Sequence, residues 1–228
     1  MIHRLLPHEN ASRVKHLESG GQIGHSGRMF RPVLCRTLLI SLLILAGFSL
    51  NAAAEPMPAG VYTLDPKHTS VIFTLNHLGF SRFTGRFDRV EGHYTYDPVA
   101  PEKSDLDVTI YPDSIDTNVA ELDEILRTEN WFNTLKFPQA TFHLTHIELT
   151  GDKTAKITGD FTLHDVTHRL TLDAVLVGAG KMPFLGTPVM GFSATGHFNR
   201  SDYGISNSVP MVGDRVDLEI NTEFDKEK

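Results

Sequence analysis

The chain has 228 residues and a formal net charge of −7 at pH 7, with 21 Lys and Arg against 28 Asp and Glu. Six basic and two acidic residues precede Glu55, which leaves 15 basic against 26 acidic residues, a net charge of −11, in residues 55–228. This charge repels phosphate backbones and anionic headgroups, so it argues against nucleic acid and anionic membrane surfaces as partners. The one cysteine, Cys35, also precedes Glu55, and this excludes disulfides and thiolate chemistry from the later residues.

An apolar segment at residues 38–50 has the organisation of a secretion signal. Arg31 and Arg36 precede it, and Ala52-Ala53-Ala54 follow it as a small-residue cleavage site. Its length of about 13 residues is short of the roughly 20 that a membrane-spanning helix needs. We therefore predict an N-terminal extension with a cleavable signal peptide over residues 1–54.

The mature protein is then residues 55–228, enough for one domain with a sizeable core and too few for two. Export predicts a protein that is soluble after cleavage, without stable membrane insertion. Met29 is an alternative start, because a chain that begins there has a signal peptide of ordinary length.

Apolar and polar residues alternate through most of the mature chain, and this period of two indicates strands with one buried face. Gly, Asp, Asn and Pro clusters separate the alternating segments, which predicts antiparallel hairpins. The eight predicted strands cover residues 71–75, 92–96, 106–110, 140–144, 155–163, 170–176, 192–198 and 216–220. The predicted turns lie at residues 78–79, 97–98, 150–152, 164–167 and 178–188.

One segment has helical spacing instead. Val119, Leu122 and Ile125 recur three residues apart within residues 118–127, which predicts a short amphipathic helix. Thr117 or Asn118 is a suitable N-cap. A second helical turn is expected at residues 129–132, before Pro138 ends the segment.

Eight alternating strands with one helical crossover predict an all-β fold, an eight-stranded antiparallel barrel. A two-sheet sandwich is the alternative. A barrel of eight strands is just wide enough either to fill itself with side chains or to hold one elongated ligand, and the pattern does not decide between these two.

The chain resembles the YceI-like family in motifs that occur in family order across residues 60–224. These motifs are residues 65–73, 77–81, 85–87, 115–118, 126–133, 137–142, 159–163 and 200–204. The resemblance implies a lipocalin-like barrel exported to the periplasm, which binds polyisoprenoid molecules such as isoprenoid quinones in an internal channel and often forms homodimers. It implies no catalytic residues.

Two positions depart from the family pattern. In the helix the family usually has a basic residue followed by Asp, and here Leu122 replaces the basic residue whereas Asp123 keeps the acid. In the turn between Leu163 and His168, Asp165 replaces a common glycine. Aspartate tolerates the left-handed backbone that such a glycine indicates, so we expect the turn to form.

The inward faces of the predicted strands are the candidate ligand-binding surface, although a packed core explains alternating apolar residues at any one position without a ligand. Small residues on the same faces, among them Ala140, Ala155, Gly159, Ala194 and Gly196, either leave the lumen open or let strands approach each other. The candidate lining residues are Phe73, Leu75, Val108, Ile110, Phe142, Leu144, Phe161, Leu163, Leu172, Phe192, Phe198, Val216 and Leu218. Polar or aromatic candidates for orienting a head group, near strand ends and loops, are His77, Arg82, Asn130, Trp131 and Arg200.

Metal binding and catalysis are not expected. His143 and His146 lie three apart on a strand, so they are predicted on opposite faces, whereas His164 and His168 flank a turn. Asp105 and Asp107 share one face, as a solvated strand does, and no Gly-x-Ser-x-Gly elbow is present. Together with these observations, the resemblance to the YceI-like family implies a periplasmic carrier of a polyisoprenoid lipid that needs no cofactor. The alternative is a structural or stress-protective barrel with a solid core and no stable ligand.

Overall fold

The computed structural model describes residues 56–227. The predicted signal peptide over residues 1–54 and its cleavage site lie outside the described residues. Within residues 56–227, no helix is long and apolar enough to cross a bilayer.

Strands make up most of the described chain. In chain order the elements are β1 (Gly60–Leu64), β2 (Ser70–His77), β3 (Ser81–Phe87), β4 (Val90–Tyr96), β5 (Asp105–Ile110), β6 (Ile115–Asp116), α1 (Ala120–Arg127), β7 (Ala140–Leu149), β8 (Thr154–Leu163), β9 (Val166–Lys181), β10 (Pro188–Asn199) and β11 (Arg215–Lys226). Each of the eight predicted strands lies within one of these elements. The strands β1, β3 and β6 were not among the predictions.

The sheet closes on itself into a barrel. The strand order is β1-β4-β5-β7-β8-β9-β10-β11, and β11 pairs back with β1, with antiparallel pairing throughout. β2 pairs with β11 beyond the end of β1, and β3 pairs with β2. Consecutive strands β1 and β2 therefore act as one bent strand of the barrel, and β3 and β4 act as another. The barrel therefore has eight antiparallel strands, as predicted, and the sandwich alternative is wrong.

The two ends of the barrel differ in their connections. One end, called here the helix end, carries the β2–β3 turn, α1, the β8–β9 turn and the β10–β11 connection. The opposite end, called the mouth, carries the β4–β5 connection, the β7–β8 turn and the β9–β10 loop. At the helix end, His164 and Asp165 both have positive φ, 59° and 61°. The expectation that Asp165 adopts the left-handed conformation is confirmed.

The helix α1 begins later than predicted and is capped differently. Its N-cap residue is Val119, which makes no side-chain cap hydrogen bond. The prediction that Thr117 or Asn118 caps the helix is wrong. Instead, the buried carboxylate of Asp123 accepts hydrogen bonds from the Thr117 backbone N–H at 2.9 Å and the Thr117 hydroxyl at 2.6 Å. Residues 129–132 form hydrogen-bonded turns rather than the predicted second helical turn.

Two β-bulges change which side chains face inward near the mouth. In β7, Leu144 pairs with Gly159 and His146 with Thr158, so Thr145 is an extra residue. The prediction that His143 and His146 lie on opposite faces is therefore wrong, because the bulge turns both of them outward. In β9, Val177 is the extra residue opposite the Gly191–Phe192 step.

The β9–β10 loop is shorter than predicted. Residues 178–181 continue β9 and pair with β10, so the predicted turn at residues 178–188 shrinks to residues 182–187. Glycine at positions 178 and 180 lowers strand propensity, and this made the segment resemble a loop.

Candidate functional site

The barrel encloses an apolar cavity of about 870 Å³. All thirteen apolar residues named as candidates from alternation line it, from Phe73 in β2 to Leu218 in β11. A volume of this size lies in the upper part of the range found for small-molecule pockets, about 300–1,000 Å³. The lumen therefore contains open space and is not filled throughout by interlocked side chains.

The two bulges keep apolar residues on the cavity wall as the strands approach the mouth. In β7, Leu144 and Ile147 both line the cavity because Thr145 is the extra residue between them. In β9, Leu176 and Ala179 line it on either side of the bulge at Val177. Simple alternation would have turned Ile147 and Ala179 outward.

The small inward residues act in two different ways. Ala140, Ala155 and Ala194 line the cavity and leave it open. At Gly159, however, a Cβ would lie 2.4 Å from Cζ of Phe142, so a neighbouring ring fills the place of the missing side chain. Gly196 is covered in the same way by Leu172. The alanines therefore create space, whereas the glycines allow close packing of larger neighbours.

Aromatic rings surround the part of the cavity nearer the mouth. The Tyr94 ring lies 5.6 Å from Phe192 and 5.9 Å from Phe224, centroid to centroid. Burial raises the pKa of the Tyr94 hydroxyl further above neutral pH. Sequence reasoning named Phe192 but missed Tyr94 and Phe224. Alternation was the available signal, within the predicted strand 92–96 for Tyr94 and continued beyond the predicted strand 216–220 for Phe224.

A second set of rings surrounds the helix end. Phe87 lies 5.5 Å from Phe73 and 5.7 Å from Phe132, and all three line the cavity. Phe161 in β8 and Phe198 in β10 pack on Tyr203, each with a ring-centroid distance of 5.3 Å. Burial raises the pKa of Tyr203 to about 12, so its hydroxyl stays protonated.

The five head-group candidates occupy different places. His77 and Trp131 line the cavity at the helix end. Asn130 is exposed and does not line it. Arg82 lies on the outer surface, where its guanidinium is 2.7 Å from Asp217.

Arg200 is a buried structural residue, only 4% exposed, and it does not line the cavity. Its guanidinium donates to the carbonyls of Gly213, Ile205 and Val212 at 2.9, 2.8 and 2.9 Å. Burial lowers the Arg200 pKa. The guanidinium carbon also lies 5.4 Å from the Trp131 ring centroid, a cation–π contact. Arg200 therefore packs against a residue of the cavity wall without lining the cavity itself.

The histidines do not converge on the cavity. The His164 ring contacts the Phe137 ring in a tilted arrangement, 3.9 Å between centroids, and burial lowers the His164 pKa. His168 Nε2 lies 3.1 Å from the Asp202 carbonyl oxygen. Within residues 56–227, one group of side chains, Asp105, Asp107 and His143, has ligand atoms within 4.8 Å of one another. All three are exposed on the outer surface of the barrel. The ion pair between His143 and Asp107 explains their closeness without a metal ion.

Among the described residues, seven that line the cavity are exposed, and six of these lie at the mouth. These residues are Leu149, Gly151, Asp152, Lys153, Thr154 and Ala179. At the helix end, His77 is the exposed lining residue among those described. The cavity therefore opens to solvent mainly between the β7–β8 turn and the start of the β9–β10 loop.

A closed eight-stranded barrel around an apolar cavity with an open mouth defines a lipocalin-like barrel that can enclose an apolar molecule. The model of the YceI-like domain matches residues 62–224. Protein YceI of Shigella flexneri is 39% identical over 190 residues, which cover 82% of this chain and 98% of that protein. The chain therefore belongs to the YceI-like family.

Solved structures agree with this fold. A crystal structure of a Campylobacter jejuni YceI protein is similar with a TM-score of 0.61 and 30% identity, covering 67% of this chain and 90% of that one. A polyisoprenoid binding domain from Saccharophagus degradans, implicated in plant cell wall breakdown, shares the fold with a TM-score of 0.54 and 14% identity. That match covers 75% of this chain and 100% of that domain.

Proposed function

We propose that this protein is a periplasmic carrier that holds the tail of a polyisoprenoid lipid, such as an isoprenoid quinone, inside the barrel. The observation that carries the proposal is the apolar cavity of about 870 Å³ with a mouth at one end. A solid core, on which the structural or stress-protective alternative depends, would leave no such space. Membership of the YceI-like family and the fold shared with a polyisoprenoid binding domain support the same reading.

Burial of the tail supplies the affinity. At roughly 0.8 kcal/mol for each buried CH₂, about ten carbons contribute on the order of 8 kcal/mol before ordering costs. The cavity wall needs no charged group for this, and the lining residues are predominantly apolar. The acidic exterior keeps the loaded protein dispersed in water.

A head group has two candidate contacts on the cavity wall. His77 supplies ring nitrogens and Trp131 supplies an aromatic face and an indole N–H, both at the helix end. A lipid that is bound with the end of its tail toward the mouth would have its head group at the helix end, beside these residues. Arg200 would act through Trp131, whereas Arg82 and Asn130 lie outside the cavity lining.

The remaining parts of the proposal concern the state of the protein. We propose that export removes residues 1–54, that the mature chain forms a homodimer, and that it binds its ligand without catalysing a reaction or using a cofactor. Intact mass spectrometry tests the first point, since cleavage after Ala54 gives a chain that begins at Glu55. Light scattering tests the second.

Native mass spectrometry of protein purified from its own periplasm, followed by solvent extraction, tests the carrier function. We expect one recurring polyprenyl species at a fixed ratio to protein. Protein that is consistently empty, and that does not take up a polyprenyl quinone added in excess, would contradict carriage and favour the alternative without a ligand.

A further inference from the structure

The tip of the β9–β10 loop presents two large apolar side chains to water. Phe184 is fully exposed and Leu185 is 75% exposed. The loop is closed by hydrogen bonds from Met182 N–H to the Thr187 carbonyl at 2.7 Å and from Gly186 N–H to the Met182 carbonyl at 2.9 Å. The two side chains therefore project from a defined turn rather than folding back onto the barrel.

The tip ends a hairpin that extends from the mouth of the cavity. Pairing between β8 and β9 ends at Thr154 and Val175, beyond which β9 continues to Lys181 with β10 as its paired strand. At the base of this extension, Leu176 N–H donates to the Lys153 carbonyl at 2.8 Å, and both residues line the cavity. An apolar path thus runs from the cavity wall through Ala179 toward the exposed tip.

The charge distribution sets the tip apart from the rest of the chain. Residues 182–199 contain no Asp, Glu, Lys or Arg, whereas residues 56–227 hold 14 basic and 25 acidic residues, a net charge of −11. The other two mouth connections, residues 97–104 and 150–153, hold two lysines and three acids. The three mouth connections (residues 97–104, 150–153 and 182–187) therefore carry a net charge of only −1 on a strongly acidic molecule.

We propose that the tip, defined as residues 182–187, inserts Phe184 and Leu185 into the interfacial region of a zwitterionic lipid bilayer. The insertion would bring the mouth to the membrane, so that a polyisoprenoid lipid passes between the bilayer and the cavity without its tail crossing water. This inference rests on the proposed carrier function.

A bilayer fits the tip better than a second protein surface does. A stable protein interface buries about 800 Å² on each partner, and two side chains on a projecting turn supply only a small part of that area. An interfacial lipid layer, in contrast, accommodates a few aromatic and aliphatic side chains of any arrangement. The mouth connections, with their small net charge, meet a zwitterionic surface without the repulsion that an anionic one would add.

Co-sedimentation with sucrose-loaded phosphatidylcholine vesicles tests the proposal. The vesicles contain no polyisoprenoid, and the protein is used as it is purified from expressing cells, with one and the same N-terminus in all variants. We expect the double variant Phe184→Ser, Leu185→Ser to lower the bound fraction by about fivefold or more. The matched control is Phe80→Ser, Leu135→Ser, whose side chains are 90% and 99% exposed. It should bind as the parent does, because Phe80 lies at the helix end and Leu135 follows α1.

Equal binding of the tip variant and the parent, or an equal loss in the control, would overturn the proposal. A loss that accompanies a halved mass in light scattering would also overturn it, since the tip would then be an interface between copies. Phe184→Trp gives a second readout, with the parent's Trp131 emission as background. Vesicles should shift the emission of the new tryptophan to the blue, and an unchanged spectrum would refute insertion.

Docking and carriage can fail separately. Uptake of a polyprenyl quinone from aqueous dispersion measures carriage without vesicles. A protein that takes up the quinone but does not bind vesicles refutes docking alone, whereas one that binds vesicles and takes up no quinone refutes the proposed function.

Discussion

Gly159 in β8 lies directly beneath the ring of Phe142 in β7, and a Cβ at Gly159 would be 2.4 Å from Cζ of that ring. The ring therefore lies along the cavity wall in the space that any larger residue at position 159 would occupy. This close approach joins the packing of the barrel to the shape of its lumen, because Phe142 itself lines the cavity.

Gly159→Ala should destabilise the protein by about 1–3 kcal/mol, since the Phe142 ring and the nearby His143 carbonyl must both move. The matched control is Gly178→Ala, because no heavy atom lies within 4 Å of a Cβ built there. It should change the free energy of unfolding by about 0.5 kcal/mol or less. Urea denaturation measures both, and equal values would contradict the packing described for Gly159.

Ala194→Phe should fill part of the cavity and lower polyprenyl binding by about tenfold or more, because the new ring occupies space that a tail needs. Thr195→Phe, whose side chain is exposed on the same strand, is the matched control and should bind normally. Quinone uptake by the two purified variants is the measurement, after circular dichroism has shown that both fold. Unchanged uptake by Ala194→Phe would place the ligand elsewhere.

Arg200→Met should cost about 2–5 kcal/mol of stability, because three carbonyl groups lose their shared donor in a buried site. The variant should also change Trp131 fluorescence, since the guanidinium lies against that ring. Arg82→Met removes an exposed ion pair with Asp217 and should cost less than about 1 kcal/mol. Thermal and urea unfolding distinguish these outcomes. A mild effect at Arg200 would refute its structural role.

The pKa of His143 is raised by its hydrogen bond to Asp107 and by the charge of that carboxylate. A raised pKa means that the ion pair adds stability at pH values below the ordinary histidine pKa of about 6.5 and that this stability is lost as the pH rises through the His143 pKa. The effect on stability should be small because both side chains are exposed.

NMR titration of the histidine ring protons measures this pKa directly. Asp107→Asn should lower the His143 pKa and leave that of His68 unchanged, because the His68 pKa is raised by Asp65 first and then by Glu223 and Asp225. A His143 titration that does not respond to Asp107→Asn would contradict the ion pair.

Alternation along the chain correctly predicted most of the cavity wall. Phe142, Phe161 and Phe198 were named from a period of two, which is a local property of any strand that has one buried face. The closed barrel followed from eight such strands. Phe87 and Phe224 were missed because β3 was not predicted and the predicted β11 ended four residues before Phe224.

Predictions based on regular periodicity were wrong where the backbone is irregular. The bulge at Thr145 placed His146 on the same face as His143. Strict alternation assumes that every residue has one partner on the next strand, so it does not predict an extra residue. The cap of α1 was also missed, because Asp123 reaches back to Thr117 from within the helix.

The sequence by itself determined the eight strands, the inward direction of their apolar residues and the family of the protein, because these depend on local periodicity and ordered motifs. Only the tertiary structure decided that the lumen is open, that Arg200 packs against Trp131, and that the hairpin bearing Phe184 extends from the mouth. Open space, burial and nearness across strands depend on distances between residues far apart in the chain, and barrel closure sets those distances.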